Sequence, residues 1–145
     1  MFTEKFKKIG VERIVSEINK NGYFSCEGAL NQKFIEGIKS DVEKNRLSIN
    51  NNKPGGSLLR NQYFNTFMLT FSKNFYDFCT QRIFLKISEN FMGSEKFRLT
   101  ALRYYETSGN NKMEWHTDTK TPEGFLNTKG LVFICYVSDV FDGEF

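Results

Sequence analysis

The segment FRLTALRYY, residues 97–105, is where the apolar pattern of this chain changes its period. Within it Leu99, Arg103 and Tyr105 share one face of an extended chain, because side chains alternate between the two faces of a strand. Before this segment the apolar residues recur about every 3.6 positions, which indicates amphipathic helices. The sequence therefore predicts helices first and antiparallel strands second, an α+β class with the helices packed on one side of a sheet.

Two helices are expected near the N-terminus. The first covers about Thr3 to Lys20, with Gly10 as a weak position, and ends at Asn21-Gly22. The second begins after Asn31, whose side chain is suited to cap it. Its buried face is expected to consist of Phe34, Ile35, Ile38 and Val42.

A third helix is expected from about Ser72 to Phe91, with Gly93 as its stop. Its apolar stripe consists of Phe75, Phe78, Cys79, Ile83, Ile87 and Phe91. Between the second and third helices, residues 45–62 lose all periodicity and contain a run of Asn, Pro and Gly. This stretch is predicted to be a loop.

Beyond Tyr105 the pattern alternates between loops and short strands. Polar loops are expected at residues 107–112 and 119–129, with a strand between them at residues 114–118. Residues 131–137 form a continuous apolar run, as in a strand that is buried on both faces. Three or four strands cannot close a barrel, so the sheet is expected to keep an open apolar edge.

Composition narrows the class of protein. The 145 residues fit one domain, and 16 Phe against 1 Trp predict a core built on phenylalanine. The net charge of +3 is small and the charges are interspersed, so neither a nucleic acid nor a membrane is expected as a partner. Cys26, Cys79 and Cys135 have no metal-binding spacing, and Cys79 and Cys135 are interpreted as small core residues. With no apolar leader and no span of roughly 20 apolar residues, we expect a cytoplasmic location.

His116 is the single histidine of the chain and lies two positions before Asp118. In a strand these two side chains point to the same face. One imidazole and one carboxylate at this spacing are half of the two-histidine, one-carboxylate set that holds non-heme Fe(II). The alternative interpretation is a surface histidine at a strand end beside an acidic residue.

Arg103 and Tyr105 are polar residues within the alternating apolar pattern. A guanidinium buried there needs an anionic partner or a wet cavity. A carboxylated cosubstrate or substrate would supply the anion, and an ion pair with Glu106 or Glu114 is the alternative. Tyr105 is interpreted either as a contact of the same ligand or as a half-buried aromatic of the strand.

Four features together resemble the phytanoyl-CoA dioxygenase family of Fe(II)/2-oxoglutarate-dependent oxygenases. They are Gly22-Tyr23-Phe24 followed by the helix from Asn31, Phe91-Met92-Gly93 before the strand at 97–105, the His116-Thr117-Asp118 triplet, and the apolar run 130–139 followed by Asp142-Gly143-Glu144-Phe145. The resemblance covers most of the chain. The triplet with its downstream strand and turn is its most specific part.

The resemblance implies a fold, a cofactor set and a reaction. The fold would be N-terminal helices packed on an incomplete double-stranded β-helix sheet of the jelly-roll or cupin type. His116 and Asp118 would be metal ligands, and Arg103 and Tyr105 are candidate contacts of 2-oxoglutarate. The cofactors would be Fe(II) and 2-oxoglutarate, and the reaction would hydroxylate a small organic substrate.

The departure from the family is the missing second histidine, which in such enzymes follows the strand and turn and precedes an arginine that binds 2-oxoglutarate. The sequence is therefore interpreted as a single truncated oxygenase domain, 1–145, mainly helical over 1–95 and with the first core strands in 96–145. Two alternatives stay open for the missing ligand. In the first, the chain is a catalytically inactive β-domain that acts as a binding module. In the second, another chain completes the site in a homo-oligomer paired at the open sheet edge.

Other ligands are also considered for the metal. Three carboxylates that follow the apolar run are candidates to replace the missing metal ligand within the chain, namely Asp139, Asp142 and Glu144. A cupin-like metal protein with a different ligand set is a further alternative.

Overall fold

The computed structural model describes residues 1–46, 57–59, 62–65, 68–98, 102–107, 120–121, 124–125 and 130–139. Within them the helices are α1 Glu4–Lys7, α2 Val11–Asn21, α3 Gln32–Lys44, α4 Met68–Phe71, α5 Lys73–Cys79 and α6 Arg82–Met92. The strands are β1 Ser57–Leu59, β2 Gln62–Asn65, β3 Tyr104–Thr107, β4 Lys120–Thr121 and β5 Gly124–Phe125. The chain is therefore a mixed α and β protein, with these helices confined to the first two thirds of the sequence.

The first predicted helix is two helices, so its continuity was predicted wrongly. The backbone of Gly10 has φ +81°, a left-handed conformation that a helix interior does not allow, and α2 begins directly after it. The short α1 is capped by Thr3, whose hydroxyl oxygen accepts from the N–H of Phe6 at 3.4 Å. The predicted end at Gly22 is confirmed.

The second helix is confirmed together with its cap. Asn31 Oδ1 accepts a hydrogen bond from the N–H of Phe34 at 2.9 Å, which satisfies one of the free donors in the first turn of α3. Three of the four apolar residues expected on its inner face are buried, namely Phe34, Ile38 and Val42. Ile35 is only partly buried.

The third predicted helix is also two helices, α5 and α6, separated at Thr80 and Gln81. Ser72 caps α5 by accepting from the N–H of Phe75 at 2.9 Å, and Gly93 ends α6 in the left-handed conformation at φ +68°. The hydroxyl of Thr80 donates to the carbonyl of Tyr76 at 2.9 Å and so satisfies a carbonyl at the end of α5. That carbonyl also accepts from the backbone N–H of Thr80 at 3.0 Å, so the last turn of α5 is closed by two donors from one residue.

The break divides one apolar stripe between two hydrophobic clusters. The first cluster lies where α3 packs on α5 and consists of Phe34, Ile38, Val42, Met68 and Phe75. The second lies where α2 packs on α6 and consists of Phe6, Ile14, Val15, Ile18 and Ile87. Phe78 and Cys79 of the stripe contact the first cluster, while Ile83 and Phe91 contact the second.

Phenylalanine rings join the two clusters. The ring of Phe84 on α6 lies 5.0 Å from that of Phe78 on α5 and 5.7 Å from that of Phe2, measured between ring centroids. Both contacts are edge-on, the arrangement in which an aromatic pair adds about 0.5–1.5 kcal/mol beyond its buried area. The expectation of a phenylalanine-based core agrees with this arrangement.

The strands β1, β2 and β3 form an antiparallel sheet in that order. Gln62 pairs with Thr107 and Asn65 with Tyr104, so this register joins segments about 40 residues apart. Two loop expectations were therefore wrong in part: residues 57–59 and 62 are in strands, and so is Thr107. Of the strand expected over 97–105, Tyr104 and Tyr105 lie in β3, whereas residues 97–98 and 102–103 are not in a strand and residues 99–101 lie outside the described residues.

The loop expected at 119–129 contains a small hairpin. Lys120 pairs with Phe125 and Thr121 with Gly124 in antiparallel register. The prediction of an irregular loop was wrong for these four residues.

The apolar run 131–137 is not the doubly buried strand that its composition indicates. No β-ladder among the described residues includes it, and Val132 and Ile134 are 59% and 42% exposed. Cys135 is exposed as a residue, so its interpretation as a core cysteine was wrong, whereas Cys79 packs against the first cluster as expected. Burial of both faces needs a second covering layer, and the described residues cover only one face.

No helix within the described residues has the length and apolar character needed to cross a membrane.

Candidate functional site

The two faces of the segment 102–106 differ sharply. Leu102 and Tyr104 are partly buried and pack against the first cluster, on the side of the helices. Arg103 and Tyr105 alternate with them and are exposed, with Tyr105 at 41%. The two predicted cofactor contacts, Arg103 directly before β3 and Tyr105 within it, therefore lie on the side of this segment that is exposed within the described residues. The Arg103 residue is open to solvent, so the buried anion that its position in the pattern suggested is not required.

Glu106 is held on the helix side by two donors. Arg46, just after α3, donates from Nη2 to Glu106 Oε1 at 2.7 Å, and the Tyr104 hydroxyl donates to the same oxygen at 2.8 Å. Arg46 Nη2 also donates to Glu43 Oε1 at 2.8 Å. The expected pairing of Glu106 with Arg103 is thus replaced by pairing with Arg46, because positions 103 and 106 fall on opposite faces of the strand. Glu114 lies outside the described residues.

These contacts change the titration of all three groups. Partial burial acts to raise the pKa of Glu106, but the hydrogen bonds from Arg46 and Tyr104 outweigh it and hold that pKa below its ordinary value. The hydrogen bond to Glu106 raises the pKa of Arg46. Burial, followed by the bond to Glu106, raises the pKa of Tyr104. At neutral pH the cluster is therefore an ion pair between Arg46 and Glu106, and the neutral hydroxyl of Tyr104 is hydrogen-bonded to the same carboxylate. The cluster holds β3 against the end of α3.

A second polar cluster fixes α5 against α3. Asp41 Oδ2 accepts from Ser72 Oγ at 2.6 Å and from Asn74 Nδ2 at 3.1 Å. Ser72 is 1% exposed and uses the same hydroxyl to cap α5. The carboxylate also lies near the N-terminus of α5, where the helix dipole favours a negative charge. Both clusters position the helices that carry β3, and neither has the nucleophile and base pairing of a catalytic site.

Sequence reasoning missed Arg46, Glu106 and Asp41 as positioning residues. Arg46 and Glu106 are 60 residues apart, and Asp41 and Ser72 are 31 apart, so no local spacing links either pair. Ser72 had a usable signal, because a serine directly before a helical pattern is a typical cap.

His116 and Asp118, the predicted metal ligands, lie outside the described residues, as does the strand expected to carry them. The chemistry of their donor atoms still indicates which kind of metal site they would suit. One imidazole nitrogen and one carboxylate oxygen supply two of the three protein ligands of a non-heme Fe(II) site. Because the chain has 1 histidine, the second imidazole must come from outside these 145 residues.

The described residues contain no other concentration of metal-binding side chains. No group of three or more His, Cys, Asp or Glu is close enough to hold an ion there. An open groove of about 580 Å³ lies between α2 and α6. Its lining contains none of the predicted site residues and consists of Glu12, Val15, Ser16, Asn19, Lys20 and Asn90.

The chain was compared with models of protein families, with curated proteins and with solved structures, and none of the three comparisons found a match.

Proposed function

We propose that the chain is part of an Fe(II)/2-oxoglutarate-dependent dioxygenase that hydroxylates a small organic substrate. In this proposal His116 and Asp118 bind the iron, and the sheet is the first part of a jelly-roll barrel. The third ligand and the arginine that anchors 2-oxoglutarate come from outside residues 1–145, from further sequence or from a partner chain.

The observation that carries the proposal is the one-sided covering of β3. Within the described residues, the first cluster packs against Leu102 and Tyr104, and Arg103 and Tyr105 are exposed on the opposite side. In a helix-flanked barrel the uncovered face is the interior, where cosubstrate and substrate bind. A guanidinium and a phenol on that face suit a dicarboxylate, because they offer a positive charge and a hydroxyl donor.

Each group has a defined task in this proposal. When bound, Fe(II) with 2-oxoglutarate and oxygen supplies the oxidising power. His116 contributes a neutral nitrogen and Asp118 a charged oxygen. Arg103 and Tyr105 orient a carboxylate of the cosubstrate, and the Arg46–Glu106 pair keeps their strand in place. The free cysteines Cys26, Cys79 and Cys135 are consistent with work in a reducing compartment, and we infer a cytoplasmic one.

The fluorescence of Trp115 offers a direct test, because it is the single tryptophan and is adjacent to His116. Fe(II) is added without oxygen to the chain in the presence of 2-oxoglutarate, with free imidazole supplying the missing nitrogen. We expect quenching of Trp115 and a weak visible charge-transfer band. His116→Ala should lose both signals at the imidazole concentration that half-saturates the unmodified chain, because it then needs two free imidazoles, whereas Thr117→Ala, a change between the two ligands, should keep both.

Absence of quenching and of the band in the unmodified chain with imidazole would overturn the proposal. Equal signals from His116→Ala and the unmodified chain would overturn the assignment of His116. Because losing even a residue that supports a ligand commonly weakens metal binding about 10–100-fold, the titration must extend to millimolar Fe(II). A band with another metal and none with Fe(II) would favour the cupin-like alternative.

The second candidate function is a binding module without catalysis. The exposed apolar residues Val132 and Ile134 are the observation behind it, because exposed apolar patches mark protein–protein contact sites. This function predicts that His116→Ala leaves self-association and stability unchanged and that Fe(II) leaves Trp115 fluorescence unchanged.

A further inference from the structure

Cys135 lies between two points at which segment 130–139 contacts the helical layer. On one side of it, the ring centroid of Phe133 lies 4.7 Å from that of Phe84 on α6. On the other side, Val137 packs against the first cluster. Each of these contacts is two residues from Cys135, and two residues of chain span at most about 7 Å. Cys135 is therefore held close to the helical layer from both sides.

Cys79, the last residue of α5, belongs to the same part of the layer. It packs against the first cluster, as Val137 does. It also follows Phe78 directly, and the ring centroid of Phe78 lies 5.0 Å from that of Phe84. The contacts on either side of Cys135 therefore involve the same rings and the same cluster that surround Cys79.

The titration of the two thiols agrees with this placement. Desolvation raises the pKa of the Cys135 thiol to about 12, and the Cys79 thiol adds to that rise, an electrostatic effect that requires the two groups to be near each other. Desolvation also raises the pKa of the Cys79 thiol to about 11. Cys135 is nevertheless exposed as a residue. It is therefore reachable from solvent, while its sulfur lies beside protein atoms.

We propose that Cys79 and Cys135 form a redox-sensitive pair, a modification site at which oxidation closes a disulfide and fastens segment 130–139 to the end of α5. Cys26 packs against the second cluster and takes no part. The pair stays reduced in a reducing compartment and closes when that compartment becomes oxidising. This modification does not depend on the proposed iron chemistry.

The oxidant is a small disulfide such as oxidised glutathione. The thiolate of the exposed Cys135 attacks one of its sulfurs, and one glutathione leaves. The thiolate of Cys79 then attacks the Cys135 sulfur of this mixed disulfide and displaces the second glutathione. The two cysteines thus give up two protons and two electrons, and one oxidised glutathione becomes two glutathione molecules. Because the thiolate is the attacking form and both pKa values are raised, closure is slow at neutral pH and accelerates as the pH rises.

Single variants test the pairing, because each leaves two of the three cysteines. Cys26→Ser leaves the proposed pair, and Cys135→Ser leaves Cys26 with Cys79. The members of these two pairs are 56 and 53 positions apart, so the unfolded chain closes the two loops at nearly the same entropic cost. Cys135→Ser is therefore the matched control, and any preference between the two variants comes from the fold.

The variants are incubated in a glutathione redox buffer at about pH 8, digested with trypsin without reduction and analysed by mass spectrometry. The three cysteines fall in different tryptic peptides, namely 21–33, 74–82 and the one that begins at Gly130. We expect the fraction of chains with an internal disulfide to be about tenfold higher in Cys26→Ser than in Cys135→Ser. In concentrated urea the two fractions should become similar, because the loops are of similar length.

Equal fractions in the two folded variants, or no disulfide in Cys26→Ser when circular dichroism shows it to be folded, would overturn the proposal. Oxidation of Cys26→Ser should also raise its thermal unfolding midpoint by about 5–10 °C, reversibly with a reductant, because the disulfide restricts the unfolded chain. An unchanged midpoint would overturn the fastening of the segment. Adding His116→Ala should leave the disulfide fraction unchanged, which separates this result from the fate of the iron proposal.

Discussion

The helical layer and segment 130–139 differ in how much of their apolar surface the described residues cover. Ile87 in α6 is 2% exposed and lies within the second cluster, while Ile134 is 42% exposed and faces away from both clusters. Each helix has neighbours on its apolar face, whereas Val132 and Ile134 of the segment are exposed within the described residues. The comparison indicates that the helical clusters are the more closely packed part of what the structure describes.

The largest expected effect comes from truncating the same residue type in the two regions. Ile87→Ala should lower the free energy of unfolding by about 2–5 kcal/mol, because it leaves a cavity in a packed cluster. Ile134→Ala should change it by less than about 0.5 kcal/mol, as most exposed substitutions do. Urea unfolding at low micromolar concentration measures both. Similar losses for the two variants would contradict the distinction between a covered and an uncovered region.

A smaller effect is expected from the polar cluster that joins α3 and α5. Ser72→Ala removes the cap of α5 and the hydrogen bond from Ser72 Oγ to Asp41, so it should cost about 1–2 kcal/mol. Ser16→Ala on the exposed face of α2 is the matched control and should stay within about 0.5 kcal/mol of the unmodified chain. If urea unfolding gives the two variants equal stability, the cluster does not hold the helices together.

The smallest effect concerns pH and the contact between β3 and α3. Because the pKa of Glu106 is lowered in the folded chain, its charged form stabilises the fold above its ordinary pKa of 4.5. That stabilisation is lost as the pH falls below 4.5 through the lowered value. The stability advantage of the unmodified chain over Glu106→Gln should therefore shrink across that range.

Urea unfolding at several pH values and at low salt measures this difference, since Glu106 is partly exposed and salt screens its ion pair. Glu95→Gln, at an exposed carboxyl outside the cluster, is the control. An advantage over Glu106→Gln that persists unchanged to the lowest pH at which the chain is folded would contradict the role given to the Arg46–Glu106 pair.

Local signals in the sequence were sufficient for the ends of helices. Asn31 and Gly93 were identified as a start and a stop because a cap depends on residues within one turn of it. The break at Gly10 was predicted only as a weak position of one helix, and the residues on both sides of it pack in the second cluster. The break at Thr80 was missed, because helical periodicity continues across it while the packing partner changes from the first cluster to the second. Periodicity reports that a face is apolar and carries no information about which cluster buries it.

Strand pairing was much harder to predict from the sequence than the ends of helices. The ladder between β2 and β3 and the Arg46–Glu106 pair join positions that are far apart in sequence, and no short pattern encodes them. The segment 131–137 was predicted to be buried on both faces because its composition is apolar throughout, yet burial also depends on what covers it. For the candidate site, the sequence placed Arg103 and Tyr105 correctly on one face of the chain, and it missed that this face is exposed. The proposed ligands His116 and Asp118 stay a prediction.

Segment 130–139 connects the two pairs of packed helices. It contacts the α2–α6 pair through Leu131 and the α3–α5 pair through Val137, on either side of the turn at Thr80. It therefore bridges the two helix pairs. The pairs also meet through the rings of Phe2, Phe78 and Phe84. A molecule that binds segment 130–139 would contact an element shared by both helix pairs, so its binding would affect the stability of both clusters at once.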